Sequence, residues 1–216
     1  VHPGIQRFGP FPAMRIETRY TVAESGFHVE QVSFVTQYGT HVDAPKHFVE
    51  GRRTLERIEL EELMLPLFVL YFEDKVAADP EFIVHVDDIK RWEAEHGEIP
   101  ADSFVAFSSD WYHRMEGGDM NNFDADGVAH WGLDALKYLF EERGVTAVGH
   151  ETLDTDGSAD VRARGFLDCE KYVLESDHYQ VEVMANLDKL PSTGGVIFVG
   201  LPKFDKFPGF PACAWE

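Results

Sequence analysis

The chain has 216 residues, 44% of them hydrophobic, and a formal net charge of −20 from 39 acidic against 19 basic side chains. That is one large domain's worth of sequence, with enough apolar residues to fill a substantial core. So acidic a surface repels nucleic acid and anionic membranes, since phosphate binding takes clustered lysine and arginine. The longest apolar run, residues 63–72, is too short to span a bilayer and carries Pro66.

Aromatic and proline residues crowd the start, at Pro3, Phe8, Pro10, Phe11 and Pro12, and predict an irregular arm. Residues 15–22 (RIETRYTV) and 27–36 (FHVEQVSFVT) are alternating and β-branched, with Glu24-Ser25-Gly26 between them to turn the chain. A β-hairpin is expected there. Residues 67–72 (LFVLYF) read as a fully buried strand, and residues 86–96 as a helix with Ile89 and Trp92 inward. A second buried strand is expected at 103–108 (SFVAFS). Residues 133–143 form an amphipathic helical pattern, with Leu133, Leu136, Leu139 and Phe140 on one side and Gly144 as its stop. A strand begins at 145–148, and the last buried strand lies at 195–199. Strands alternating with helices after an all-β beginning predict one mixed α/β domain over residues 1–216. The two cysteines, Cys169 and Cys213, exclude a disulfide scaffold and fit a reducing cytoplasm.

One stretch stands apart, Gln37-Tyr38-Gly39-Thr40-His41-Val42-Asp43-Ala44-Pro45-Lys46-His47-Phe48. Gly39 and Pro45 argue against a helix. In an extended chain, side chains alternate faces, so Gln37, Gly39, His41 and Asp43 are expected to point one way and to converge on a metal ion. The missing side chain at Gly39 is expected to leave room for a substrate or ion beside the backbone. Pro45 ends the strand and redirects His47 toward the same place. Imidazole with carboxylate suits zinc, manganese or iron(II), whereas calcium sites are built mostly from oxygen.

The segment resembles the signature His-x-Gly-Thr-His-x-Asp-x-Pro-x-His of the cyclase family, which includes bacterial kynurenine formamidase and isatin hydrolase. Gly39, Thr40, His41, Asp43, Pro45 and His47 all fit it. Residues 144–149 (GVTAVG) look like the strand ahead of that family's Gly-x-Asp-Thr segment. Residues 182–187 (EVMANL) are similar to its Glu-Asn-Leu-x-Asn-Leu. The resemblance implies a mixed α/β domain with a barrel-like β part and a homo-oligomer, dimer or tetramer. It also implies hydrolysis of a C–N bond in a small formamide or cyclic amide. By position it makes His41 and Asp43 ligands of one divalent metal, zinc or manganese, and Glu182 a distant carboxylate ligand. His47 becomes the catalytic histidine, and Phe8 an aromatic ring against the substrate. Two positions depart from the pattern. Gln37 stands where the signature has its first histidine and offers a neutral amide oxygen in place of imidazole. Glu170 stands where two-metal relatives carry another histidine, so a second ion there is a weaker expectation than the first.

Residues 149–156 (GHETLDTD) follow a predicted parallel strand, where α/β proteins often place functional groups. His150 or Glu151 is expected to line the pocket or to replace a ligand missing at Gln37, while Thr152, Asp154 and Asp156 suit a hydrogen-bonded turn. His85, His96 and His113 belong to polar segments, and His178 is a minor alternative ligand near Glu182. There is no Gly-x-Ser-x-Gly, and neither cysteine has a histidine beside it in a nucleophile motif. The expected chemistry is attack of metal-activated water on a small amide, with His47 passing a proton to the leaving nitrogen. Two rivals are a metal- or ligand-binding protein without turnover, to which Gln37 and Glu170 point, and a metal-dependent dehydratase or lactone-forming cyclase.

Overall fold

The computed structural model describes residues 1–115 and 128–216. After the irregular aromatic arm, β1 (Arg15–Tyr20) and β2 (Val29–Ser33) pair antiparallel as the expected hairpin. Its turn is a single helical turn, α1 (Val22–Ser25), capped by the Thr21 side chain and ended by Gly26 in the left-handed region. No residue of β1 or β2 is buried, so this ribbon lies outside the core.

The body begins with β3 (His41–Asp43), β4 (Met64–Tyr71), the short helix α2 (Glu73–Ala78) and β5 (Ile83–Val84). Next come α3 (Val86–His96), β6 (Phe104–Ser108), α4 (Trp111–Met115), β7 (His130–Trp131), α5 (Leu133–Lys137) and β8 (Ala147–His150). It ends with α6 (Ser158–Arg164), α7 (Asp168–Glu175), β9 (Tyr179–Glu182), β10 (Gly195–Gly200), β11 (Gly209–Pro211) and β12 (Cys213–Trp215). The main sheet has eight strands in the order β11-β3-β9-β8-β6-β4-β10-β12. β4, β6, β8 and β9 run parallel, joined by helical crossovers, and the strands flanking them pair antiparallel. β11 and β12 lie at opposite edges of that order, yet Ala212 alone separates them in sequence. The sheet must therefore curl until its edges nearly meet, and the result is a nearly closed barrel. The Ala212 amide donates to the Thr40 carbonyl at this seam.

Period-two alternation divides the central strands between two cores. Leu65, Leu67 and Val69 of β4, Phe104 and Ala106 of β6, Ala147 of β8 and Val181 of β9 fill the barrel. Leu70, Val105, Phe107 and Val148 face outward, against Ile89 and Trp92 of α3, Leu136 of α5, and Val173 and Leu174 of α7. Both faces are covered, which is why these strands read as unbroken apolar runs.

Three expectations need adjusting. The helix predicted over 133–143 is α-helical only to Lys137 and then widens into a π turn at Tyr138–Glu142. Tyr138 is held there by its hydroxyl donating to Glu93 Oε2 at 2.6 Å, and Arg143 binds the same carboxylate. The strand expected from residue 145 starts at Ala147, because the Val145 amide still bonds back to the Leu139 carbonyl. Residues 37–43 are not one extended run. Gly39 has φ +64 and the strand begins only at His41. A Cβ on Gly39 would lie 2.6 Å from Ile5 Cδ1, and its amide donates to the Gln6 carbonyl. The missing side chain makes room for the protein's own N-terminal arm, not for a ligand.

Candidate metal centre and active site

β3 and β9 are antiparallel neighbours, with His41 opposite Glu182 and Asp43 opposite Gln180. Alternation sends Val42 and Val181 into the barrel and turns these four polar side chains to the other face. His41 Nε2 lies 3.4 Å from Asp43 Oδ2 and 3.5 Å from Glu182 Oε2. All three residues are buried. His41 Nδ1 sits 2.7 Å from the Gly39 carbonyl, which can only accept, so in the neutral ring Nε2 keeps its lone pair toward the carboxylates.

Pro45 does redirect the chain. Pro45–His47 is a 3₁₀ turn, with the His47 amide donating to the Ala44 carbonyl. The imidazole returns to the cluster, its Nε2 3.9 Å from Asp43 Oδ1 and 3.7 Å from Glu170 Oε1. Glu170 comes from the first turn of α7, whose start is held by Asp156. The Asp156 carboxylate accepts from the amides of Cys169 and Glu170, both at 2.9 Å. Two donor triads result, His41–Asp43–Glu182 and Asp43–His47–Glu170, each with ligand atoms within 4.8 Å of one another and with Asp43 common to both.

The electrostatics of this cluster suit a cation. Burial, then the neighbouring Asp43, Asp154 and Asp156, pushes the Glu170 carboxyl far above its usual pKa. Burial, then Glu170, Asp43 and Asp154, does the same to Glu182. Asp154 rises to about 6, through burial and the charges of Asp156 and Asp43. Asp43 goes the other way. Burial opposes its ionisation, but His41, His47 and hydrogen bonds from His41 and Gln37 hold it well below the carboxylate range. Burial likewise opposes protonation of His41, yet Asp43 and the Gly39 carbonyl raise its pKa. Carboxylates gathered away from water, with imidazole nitrogens among them, are the donor set of a divalent transition metal. These residues fit such an ion.

Above the cluster lies a cavity of about 320 Å³, mostly apolar, in which Phe8, Phe11, Phe48 and Leu167 face His41, His47, Glu170 and Glu182. The arm is tied down beside it. The Met14 amide donates to Tyr38 Oη, which itself donates to the Pro3 carbonyl.

The sequence profile of the Cyclase family matches residues 1–157, with the cluster's His41, Asp43 and His47 inside the match. This chain belongs to the cyclase family. The isatin hydrolase of Roseibium aggregatum is 31% identical to it over 182 residues, which are 80% of this chain and 68% of that protein. Among solved structures, isatin hydrolase A from Labrenzia aggregata, bound to benzyl benzoate, has a TM-score of 0.87 at 28% identity, over 96% of this chain and 84% of that one. An isatin hydrolase bound to the product analogue thioisatinate has a TM-score of 0.88 at 26% identity, over 99% and 87%.

Other residues singled out from the sequence fall in different places. Gln37 lines the cavity, but its amide nitrogen donates to Asp43 Oδ1 at 3.2 Å and its oxygen accepts from Thr36 Oγ1. Its oxygen is therefore turned from the cluster. His150 is fully buried behind the cavity, its Nε2 3.9 Å from Glu182 Oε1, and burial drives its pKa down to about 3, so the ring is neutral. Glu151 lies away from the cluster, its carboxylate accepting from the Ser109 and Trp111 amides and the Ser109 hydroxyl. His178 stacks on Phe140 and bonds the Thr146 carbonyl.

Two contributors carry no signal in the sequence. Gln180 Nε2 donates to Glu182 Oε1 at 2.8 Å and to Asp43 Oδ2 at 3.4 Å, and Thr155 Oγ1 donates to Gln180 Oε1 at 2.7 Å. Gln180 is fixed in place by the same alternation that reveals Glu182, two residues on. Only the β3–β9 register shows that it bridges two carboxylates of the cluster.

Proposed function

We propose that this chain is a metal-dependent hydrolase that opens a C–N bond in a small aryl cyclic amide or aryl formamide, a cyclic amide of the isatin type being the first candidate. The observation that carries this reading is the buried His41–Asp43–Glu182 cluster facing an aromatic cavity of about 320 Å³, with His47 beside it. Similarity to isatin hydrolases over most of the chain supports the substrate class.

His41 Nε2, Asp43 and Glu182 would hold the first divalent ion, zinc or manganese. Glu170, with Asp43 and His47, is where a second would lie. When bound there, a divalent ion supplies a Lewis acid for a carbonyl oxygen and lowers the pKa of water from near 16 toward about 7. The rest falls to the chain. The rings of Phe8, Phe11 and Phe48 receive a flat substrate and exclude water from the reacting face. Gln180 and Thr155 fix the carboxylates so that they need not reorganise. With only the first ion bound, His47 Nε2, at the open side of the cluster, is free to hold the proton that the amide nitrogen needs to leave, with Glu170 and Asp43 beside the ring.

Among the described residues, the cavity lining contains no lysine or arginine, which favours a neutral substrate over an anionic one. The test is to load the purified protein with zinc or manganese and follow ring opening of isatin, with an aryl formamide alongside. Hydrolysis of either supports the proposal. Tight metal binding with no turnover of any amide supplied would overturn it. That result would favour a ligand-binding protein, the second reading, for which Gln37 presenting an amide nitrogen to Asp43 is the specific observation.

A further inference from the structure

A second, much smaller cavity of about 30 Å³ adjoins the aromatic one, with Leu153 and Asp154 in the walls of both. Gln6, Trp111, Asp156 and Ser158 also line it. That volume takes one water-sized group, for which about 10–15 Å³ suffices, and no ring. Gln6 and Trp111 are 2% and 4% exposed, and among the described residues neither Gln6 Nε2 nor Trp111 Nε1 has a hydrogen-bond partner. A buried N–H left unpaired is destabilising, so two of them at one small cavity call for an acceptor. Both residues are fixed through their backbone. The Trp111 amide donates to the buried Glu151 carboxylate at 2.9 Å, and the Gln6 carbonyl accepts from the Gly39 amide at 3.1 Å. The Asp154 carboxyl group has no hydrogen bond among the described residues either. Asp156, by contrast, already accepts from the Cys169 and Glu170 amides.

We propose that this small cavity is a subsite for a hydroxyl group carried on the ring of the substrate. The lining selects the group. Two N–H donors disfavour a cation and two carboxyl groups disfavour an anion, so the occupant is neutral. A carbonyl oxygen can accept from both donors but offers nothing to Asp154. A hydroxyl has two lone pairs, for Gln6 Nε2 and Trp111 Nε1, and one proton, for Asp154. A carboxyl oxygen accepts whether or not the group is ionised, so the match holds in either state of Asp154. The inference rests on the amide chemistry above for the place of the ring, among Phe8, Phe11 and Phe48. It narrows the substrate to an aryl amide whose ring carries a hydroxyl on the side that faces Asp154.

The test is titration calorimetry on the zinc-loaded full chain with oxindoles, which keep the aryl ring and lactam of isatin without its ketone and so resist opening. The set carries a hydroxyl at each position of the benzene ring in turn, with the matching methoxy compounds and the unsubstituted parent. One hydroxyl isomer should bind roughly 10- to 100-fold more tightly than the parent, as expected for a few neutral hydrogen bonds made together. Its methoxy counterpart, which has no proton to donate and is larger, should show no such gain. Trp111→Phe removes the N–H but keeps an aromatic ring, and should bring the ratio of hydroxyl to parent affinity toward one. Gln6→Met should lower the same ratio and stands in if Trp111→Phe fails to fold. Equal affinities for the parent and every hydroxyl isomer, a methoxy compound that binds as well as its hydroxyl counterpart, or a preference that survives both substitutions would each overturn the subsite. Ring opening of isatin by the same preparation reports separately on the hydrolase reading, and a hydroxyl preference in binding without turnover would leave the subsite standing.

Discussion

His47 is the residue on which binding and chemistry separate. It reaches the cluster from a turn, not from β3, and its Nε2 stands 3.7 Å from Glu170 and 3.9 Å from Asp43. It is absent from the His41–Asp43–Glu182 triad. We expect His47→Ala to keep one metal equivalent and to lose turnover by roughly 10² to 10⁴-fold, the usual worth of general acid–base catalysis. Elemental analysis and hydrolysis rates on one preparation decide the matter, and loss of the metal with the activity would make His47 a ligand instead. The convergence of His41 and Asp43 on one face was legible because a strand's alternation is a local rule, and Pro45 made the return of His47 legible too. The role of Gly39 was not legible. Nothing local says that the neighbour filling its missing side chain is Ile5, far back in the arm. Gly39→Ala combines a left-handed φ of +64 with that clash and should cost roughly 1–3 kcal/mol. Denaturant unfolding would show it, and an unchanged midpoint would mean that the arm is not packed against this turn.

At the scale of elements, α3, the longest helix among the described residues, matches its predicted span, since Ile89 and Trp92 mark its apolar side within a single run. The helix at 133–143 departs because a buried ion pair from another element acts on it. Glu93 of α3 accepts from Arg143 Nε at 2.7 Å, Tyr138 Oη at 2.6 Å and the Ile99 amide at 3.0 Å. Burial pushes this carboxyl up, but the bonds from Arg143, Tyr138 and Ile99 outweigh it and leave the pKa below its ordinary value. With the folded value depressed, the stabilisation is complete above the ordinary carboxylate pKa of about 4.3 and is lost as the pH falls through the folded value. Glu93→Gln should lower stability by about 1–3 kcal/mol at neutral pH, as expected when a buried hydrogen-bonding partner is removed. It should also flatten the acid limb of the stability curve. Calorimetric melts of both proteins across the acid range would check this. Equal slopes would place the acid sensitivity elsewhere.

For the whole molecule, the controlling fact is a surplus of buried carboxyl groups gathered on one face of a curled sheet. Asp43, Glu170 and Glu182 are all buried within one cluster, and a bound cation would let them ionise together and offset the repulsion among them. Metal binding is then also folding energy. Ligand at a hundredfold excess over its dissociation constant adds about 2.7 kcal/mol. Thermal unfolding with chelator and with added zinc or manganese should therefore give clearly separated midpoints for wild type and nearly coincident ones for His41→Ala. The separation should shrink in acid, where imidazole is protonated and carboxylates lose their charge. Coincident wild-type midpoints at neutral pH would argue against a structural share for the ion. The sequence by itself determined what depends on neighbours along the chain: the hairpin, the buried strands, the α3 helix, and the His41–Asp43 pair with its proline. The motif resemblance extended this to the cyclase family and to the distant Glu182. Tertiary structure alone decided the closure of the barrel, because β11 and β12 are adjacent in sequence yet serve opposite edges. It also decided that Gln180 and Thr155 brace two carboxylates of the cluster, and that Asp156 sets the helix carrying Glu170. Each of these rests on strands and loops meeting from far apart in the chain, and no local periodicity or propensity encodes which partners meet.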